Sequence, residues 1–163
     1  MSPTRAILVG LLSLSAFGCA GPARNIAPAD PTTPNVGNVG ERDIVVETAT
    51  SMIGAPYRYG GSSPQGFDCS GLVVYSYARA GVAGLQRSAR ALMKQTEPVS
   101  VRDLEPGDLL FFDVGRGRVS HVGIFVADRT FVHAPSSGKQ VAIASLDHAY
   151  WKPRLRQAGR LRR

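Results

Sequence analysis

Cysteine is scarce in this chain: only Cys19 and Cys69 occur among 163 residues. A disulfide framework is therefore excluded, and a bond between these two would only staple an N-terminal segment to the core, so none is expected. Metal-ligand spacing is missing as well. No C-x-x-C and no H-E-x-x-H occurs, so His121, His133 and Asp68 or Cys69 make a poor zinc site, and no metal or other cofactor is expected. Apolar runs are short. Ala6 to Phe17 is almost unbroken but has twelve residues, against the roughly 20 that span a bilayer as a helix. Acidic side chains are few, 12 against 19 Lys and Arg, which leaves a net charge of +7. Such an excess draws a protein toward nucleic acid, anionic membrane surfaces or acidic polymers. Nucleic acid is set aside, because no regular alternation of aromatic and basic residues accompanies the charge. Lys152, Arg154, Arg156, Arg160, Arg162 and Arg163 hold much of it, which reads as a basic tail or face on a near-neutral body.

What is present divides the chain into three. Arg5, the apolar run and the small residues of Ala16-Phe17-Gly18-Cys19 make residues 1–19 a signal peptide for export. Residues 20–40 carry Pro22, Pro28, Pro31 and Pro34 with no apolar periodicity, the composition of a disordered tether. Residues 41–163 form one domain. Ile44, Val45, Thr48, Ala49 and Met52 share a helical face that Gly54 and Pro56 end. Residues 56–66, rich in Gly, Pro, Ser and Tyr, read as an irregular loop in which Tyr57 faces a site and Tyr59 packs over the first helix. Asp68 or Cys69 begins a second helix that Gly81 stops, and Ser88 caps a short third one over Ala89 to Gln95.

The second half changes period. Leu109 to Phe112, Val119 to Val126, Thr130 to Ala134, Gln140 to Ala144 and Leu155 to Leu161 read as successive antiparallel strands, with a turn of helix within Leu146 to Trp151. Helices first and strands after predict an α+β fold, with the N-terminal helices packed on one side of a meandering antiparallel β-sheet.

Reactive side chains converge in this arrangement. Cys69 stands on the first turn of its helix, where free N–H groups and the helix dipole favour the thiolate. His121 and His133 lie on neighbouring strands; if opposed positions sum to an even number, as when His133 faces Gly123, both point to one face. His121 can then take the thiol proton while His133 orients it, and Gly123 leaves room beside the reacting carbonyl. The backbone N–H of Cys69 and the hydroxyl of Tyr57 are candidate donors to the oxyanion. His148 reads as a surface or structural residue.

Five ordered blocks carry a further signal: Gly54-Ala55-Pro56-Tyr57-Arg58-Tyr59-Gly60-Gly61, Phe67-Asp68-Cys69-Ser70-Gly71-Leu72-Val73, Gly107-Asp108-Leu109, Ser120-His121-Val122-Gly123-Ile124 and Phe131-Val132-His133-Ala134. Together with Ala149-Tyr150-Trp151-Lys152 they resemble the NlpC family of bacterial cell-wall cysteine peptidases, and in particular the small murein endopeptidase lipoproteins of Gram-negative bacteria. The resemblance implies a papain-like cysteine peptidase fold, with Cys69 as nucleophile, His121 as base and His133 as the orienting residue. It implies that Tyr57 helps the oxyanion and that Asp68 and Ser70 shape the site, the aspartate contacting a free amino terminus in relatives that recognise one. Cys19 similarly resembles a lipobox cysteine. The implied protein is a monomeric peptidoglycan endopeptidase that hydrolyses amide bonds in murein stem peptides or cross-links through a thiolate acyl-enzyme. It would be held by a lipid anchor in the periplasm at the outer membrane, a soluble periplasmic form being the alternative. A catalytically inactive peptidoglycan-binding lipoprotein is the rival function.

Overall fold

A computed structural model describes residues 40–115 and 117–162. The expected signal peptide, its Cys19 and the tether over residues 20–39 lie outside them. Helix α1 (Glu41–Ser51) starts where the Asp43 carboxylate accepts the Gly40 N–H at 3.0 Å, and it turns Val45 and Ala49 into the core. Helix α2 (Cys69–Arg79) is capped by Asp68 and lies against α1. Helix α3 (Ala89–Lys94) is capped by Ser88, whose hydroxyl accepts the Ala91 N–H. Both caps follow from short polar side chains that satisfy helix N–H groups left without partners.

The loop before α2 is more regular than its composition suggests. Strand β1 (Ser62–Ser63) pairs with strand β2 (Gly66–Phe67) in a small antiparallel ladder. Gly66 sits at φ 153°, and a Cβ there would lie 2.6 Å from the Arg58 side chain, so only glycine lets the backbones close.

The main sheet has six antiparallel strands: β3 (Thr96–Val99), β4 (Leu109–Phe112), β5 (His121–Phe125), β6 (Thr130–His133), β7 (Ala142–Ser145) and β8 (Leu155–Leu161). Their order is β3-β8-β4-β5-β6-β7. The meander predicted from sequence holds from β4 to β7 only. The last strand returns to insert between β4 and β3, a strand that sequence periodicity does not show because Pro98 interrupts it. Pro98 is tolerated because β3 is an edge with one neighbour. The helical turn also moves: a 3-10 turn occupies Lys152–Arg154, after the Leu146 to Trp151 stretch expected to hold it.

Alternation along the strands makes two cores rather than one. Leu109, Phe111, Val122, Ile124 and Val132 pack with the helices. Leu110, Phe112, Phe125, Phe131 and Ala158 form a second cluster with Leu146, against which Trp151 and Leu155 pack. The Cys69 helix thus belongs to the first cluster, and the rings around His121 and His133 belong to the second. They meet at the start of β5.

Candidate active site

Cys69 is a free, half-buried thiol on the first residue of α2. Burial pushes it up from the ordinary thiol value, while backbone N–H groups of Val122, Ser70 and Cys69 itself pull it down and the Asp68 charge pushes it further up. The net direction is upward. The helix terminus therefore moderates the cost of a buried thiolate without making thiolate the resting form, which differs from the expectation drawn from helix position alone. The Val122 N–H, one residue past His121, ties the sulfur to the start of β5.

The histidine pair has the register that same-face placement requires. Ile124 opposes Val132 and Phe125 opposes Phe131, so each opposed pair sums to 256. His121 Nε2 lies 2.9 Å from His133 Nδ1, both rings buried. Trp151 stacks on His121 at 5.4 Å between ring centroids and meets His133 edge-on at 4.8 Å. Burial first, then the neighbouring His133, lowers His121 to about 3; burial and the Lys139 charge lower His133 to about 4. Both are neutral at neutral pH. A neutral His121 that offers Nδ1 to a thiol must carry its proton on Nε2, and Nδ1 of His133 is placed to accept it. Sequence reasoning named the histidines but missed Trp151 as their support.

Asp68 caps α2 by accepting the Gly71 N–H at 2.6 Å and also accepts the Ser70 hydroxyl at 2.9 Å and the Gly60 N–H at 3.0 Å. Arg87 completes it, donating to both carboxylate oxygens at 3.1 and 3.2 Å, to the Ser70 hydroxyl at 2.9 Å and to the carbonyls of Gly60 and Gly61. Burial works to raise the Asp68 carboxyl, but the Arg87, Gly71 and Ser70 hydrogen bonds and the Arg87 charge together hold it below its usual value. Ser70 is buried, so it shapes the cleft from behind. Arg87, nineteen residues from Asp68, is the second residue that sequence reasoning missed.

A cleft of about 640 Å³ opens over these groups, lined by Tyr57, Tyr59, Asp68, Cys69, Arg87 and His121 among others. Tyr57 is half-buried at its wall; burial, then the Cys69 and Asp68 charges, raise its hydroxyl, which keeps the proton that an oxyanion needs. Tyr59 does not pack over α1. It is 90% exposed at the cleft mouth, because Gly60 at φ 72° turns the chain outward. Gly123 also has another reason than the one expected: a Cβ there would come within 2.5 Å of the Phe131 ring, so the glycine makes room for the core and not for a substrate. His148 is exposed, its Nδ1 accepting the Tyr150 N–H.

A thiol on a helix terminus, facing a histidine pair on an antiparallel sheet, defines the papain-like cysteine peptidase class of fold. Residues 54–160 match the NlpC/P60 family, and the chain belongs to it. It is 43% identical over 108 residues to a protein of Mycobacterium tuberculosis named "Probable endopeptidase", covering 66% of this chain and 27% of that one. It is 39% identical over 113 residues to the murein DD-endopeptidase MepH of Escherichia coli, covering 67% of this chain and 42% of that one. An NLP/P60 family structure from Staphylococcus aureus, described as similar to lipoprotein, superposes with a TM-score of 0.69 at 32% identity, over 82% of this chain and 45% of that one. The chain thus spans less than half the length of these relatives.

Proposed function

We propose that this chain is an exported, monomeric peptidoglycan endopeptidase that cleaves amide bonds of murein stem peptides or cross-links through an acyl-enzyme on Cys69. The observation that carries this reading is the convergence of Cys69 and His121 on one open cleft, with His121 hydrogen-bonded from behind by His133. The names of the mycobacterial and Escherichia coli relatives support the reaction and the polymer. His121 takes the Cys69 proton as the sulfur adds to the carbonyl, and Nδ1 of His133 accepts a hydrogen bond from the imidazolium. The Cys69 N–H and the Tyr57 hydroxyl receive the oxyanion. The C–N bond breaks, His121 returns the proton to the departing amine, and water then releases the acyl group with His121 as its base. Asp68, Ser70 and Arg87 hold the α2 terminus and the wall of the cleft in place. Through Cys19 the chain would be a lipoprotein of the outer membrane facing the periplasm, a soluble periplasmic form being the other outcome.

Digestion of purified sacculi tests the reaction. The wild-type chain is expected to release muropeptides, identified by mass, and Cys69→Ala to release none while still binding. Equal binding with no release by either protein would leave a peptidoglycan-binding module in place of an enzyme. Palmitate labelling that persists in Cys19→Ala would remove the anchor.

A further inference from the structure

The cleft over Cys69 does not end at His121. A second cavity of about 730 Å³ begins there, sharing Val114, His121, Pro135 and Ser136 with the first and continuing toward β7 and Trp151. Its walls include Ile143 and Tyr150, 53% and 43% exposed, two of the five large apolar side chains left uncovered on the described surface. Its cation is Lys139. No acidic side chain lines the cavity, and Lys139 makes no ion pair among the described residues. The backbone that carries it is fixed on both sides: its carbonyl accepts the Tyr57 N–H at 2.8 Å, and its N–H donates to the Ser136 carbonyl at 3.1 Å. A lysine without an ion pair beside apolar walls, with the Arg154 guanidinium 4.0 Å over the Tyr150 ring at their edge, joined to a reactive cleft, suits a ligand that is part aliphatic and part carboxylate.

The direction of the reaction decides which part of the substrate enters. The acyl group ends on Cys69, beside Tyr57 and Asp68. The departing nitrogen must lie within hydrogen-bond reach of His121 to receive its proton. Whatever follows that nitrogen in the substrate continues past His121, where the second cavity opens.

We propose that this cavity binds the fragment released as the amine, and that Lys139 pairs with the free carboxylate of the diaminopimelate that carries it. The proposal rests on the murein reading above and deepens it. Two bonds fit the murein reading, a cross-link between D-alanine and diaminopimelate and a stem bond between D-glutamate and diaminopimelate, and both suit it. Cleavage between D-alanine and diaminopimelate frees an amine beside a carboxylate, and cleavage between D-glutamate and diaminopimelate frees an amine on a residue whose far end carries one. Amidation of that carboxylate removes the partner of Lys139, so the cavity selects non-amidated wall.

The test uses two substrates identical on the acyl side, one with the diaminopimelate carboxylate free and one with it amidated. The full chain is expected to prefer the free acid by about five- to tenfold in kcat/KM, mostly through KM. Lys139→Glu, a change at an exposed position, is expected to erase or reverse that preference, read as the ratio of the two substrates within the variant because the Lys139 charge also acts on His133. Equal rates in the wild type, or a preference that survives Lys139→Glu, would overturn the proposal and leave the peptidase reading standing. If neither substrate is cleaved, the peptidase reading fails instead. The cavity is then judged by an NMR titration of the Cys69→Ala chain with the dipeptide meso-diaminopimelyl-D-alanine. Shifts at Ile143 and Tyr150 that disappear in Lys139→Glu support the site, and unchanged shifts reject it.

Discussion

His133 acts on the reaction through a single hydrogen bond, that between its Nδ1 and Nε2 of His121. Its removal should therefore change turnover more than substrate binding. His133→Leu is expected to lower kcat by about a hundredfold with little change in KM, since general-base catalysis contributes roughly 10²–10⁴. His133→Asn should recover much of the loss, because its amide oxygen can accept the same bond. A steady-state comparison that finds Leu and Asn equally impaired would assign His133 to packing alone. The same pair shapes acid stability. Both histidines fall well below the unfolded value of about 6.5, to about 3 and about 4. The unfolded chain then binds more protons, so stability is lost as pH falls from 6.5 toward 4, at about 1.4 kcal/mol per unit for each histidine. Melting temperature should fall over pH 6.5–4.5, and His133→Asn should roughly halve the slope; parallel slopes would contradict this account. Cys69, His121 and His133 were legible because helix period and strand parity act locally and determine direction. Arg87 and Trp151 were not, since each reaches the site from a distant segment.

Among the elements, the α2 terminus joins sequence to site most directly, because the cap that starts the helix also sets the cleft wall. Asp68 and Ser88 were readable as caps since capping needs only a short polar side chain next to an apolar period. The close approach behind Asp68 was not readable. A Cβ on Gly71 would lie 1.9 Å from the Gly61 carbonyl oxygen, backbone against backbone. Neither segment can move freely, as the Asp68 N–H donates to that same carbonyl at 3.0 Å. Gly71→Ala is therefore expected to cost roughly 3 kcal/mol or more and to shift the Tyr57 loop away from Cys69. Arg87→Met should act differently. It leaves the Asp68 cap on Gly71 intact but removes the donor shared by Asp68, Ser70 and two loop carbonyls, so α2 persists while the loop loosens. Hydrogen exchange resolves the two: faster exchange confined to residues 57–61 is expected for Arg87→Met, and faster exchange through α2 as well would show that Arg87 holds the helix itself.

At the scale of the molecule, Arg156, Arg160 and Arg162 of the basic C-terminus prove to be framework rather than a free tail, and Arg163 lies outside the described residues. Composition alone could not place the three, since the same arginines suit a solvated end or a strand whose acidic partners come from elsewhere. Arg156 meets Asp113 and Arg162 meets Glu97, while Arg160 reaches Glu105 and Asp108 from inside β8. Asp108 is the focus. Its side chain is fully buried and takes Arg160 at 2.9 Å and Arg42 of α1 at 3.2 Å, so one carboxylate joins the first helix to the last strand. Burial works to raise it, and the Arg160, Glu105 and Arg42 hydrogen bonds outweigh that to hold it below its usual value. Removing its charge leaves the two arginines sharing only the exposed carboxylate of Glu105, at 3.4 Å from Arg42 and 3.0 Å from Arg160. Because both guanidinium groups are partly solvated, the loss is smaller than for a wholly buried pair: Asp108→Asn is expected to cost about 2–3 kcal/mol. Arg160→Met should cost less, and the double variant less than the sum of the two, since a cation without its carboxylate is the costly state and the double change removes one such cation. Urea unfolding of the four proteins measures the cycle. Strict additivity would mean that Asp108 and Arg160 do not act through each other, and that β8 is tied to the start of β4 by other contacts.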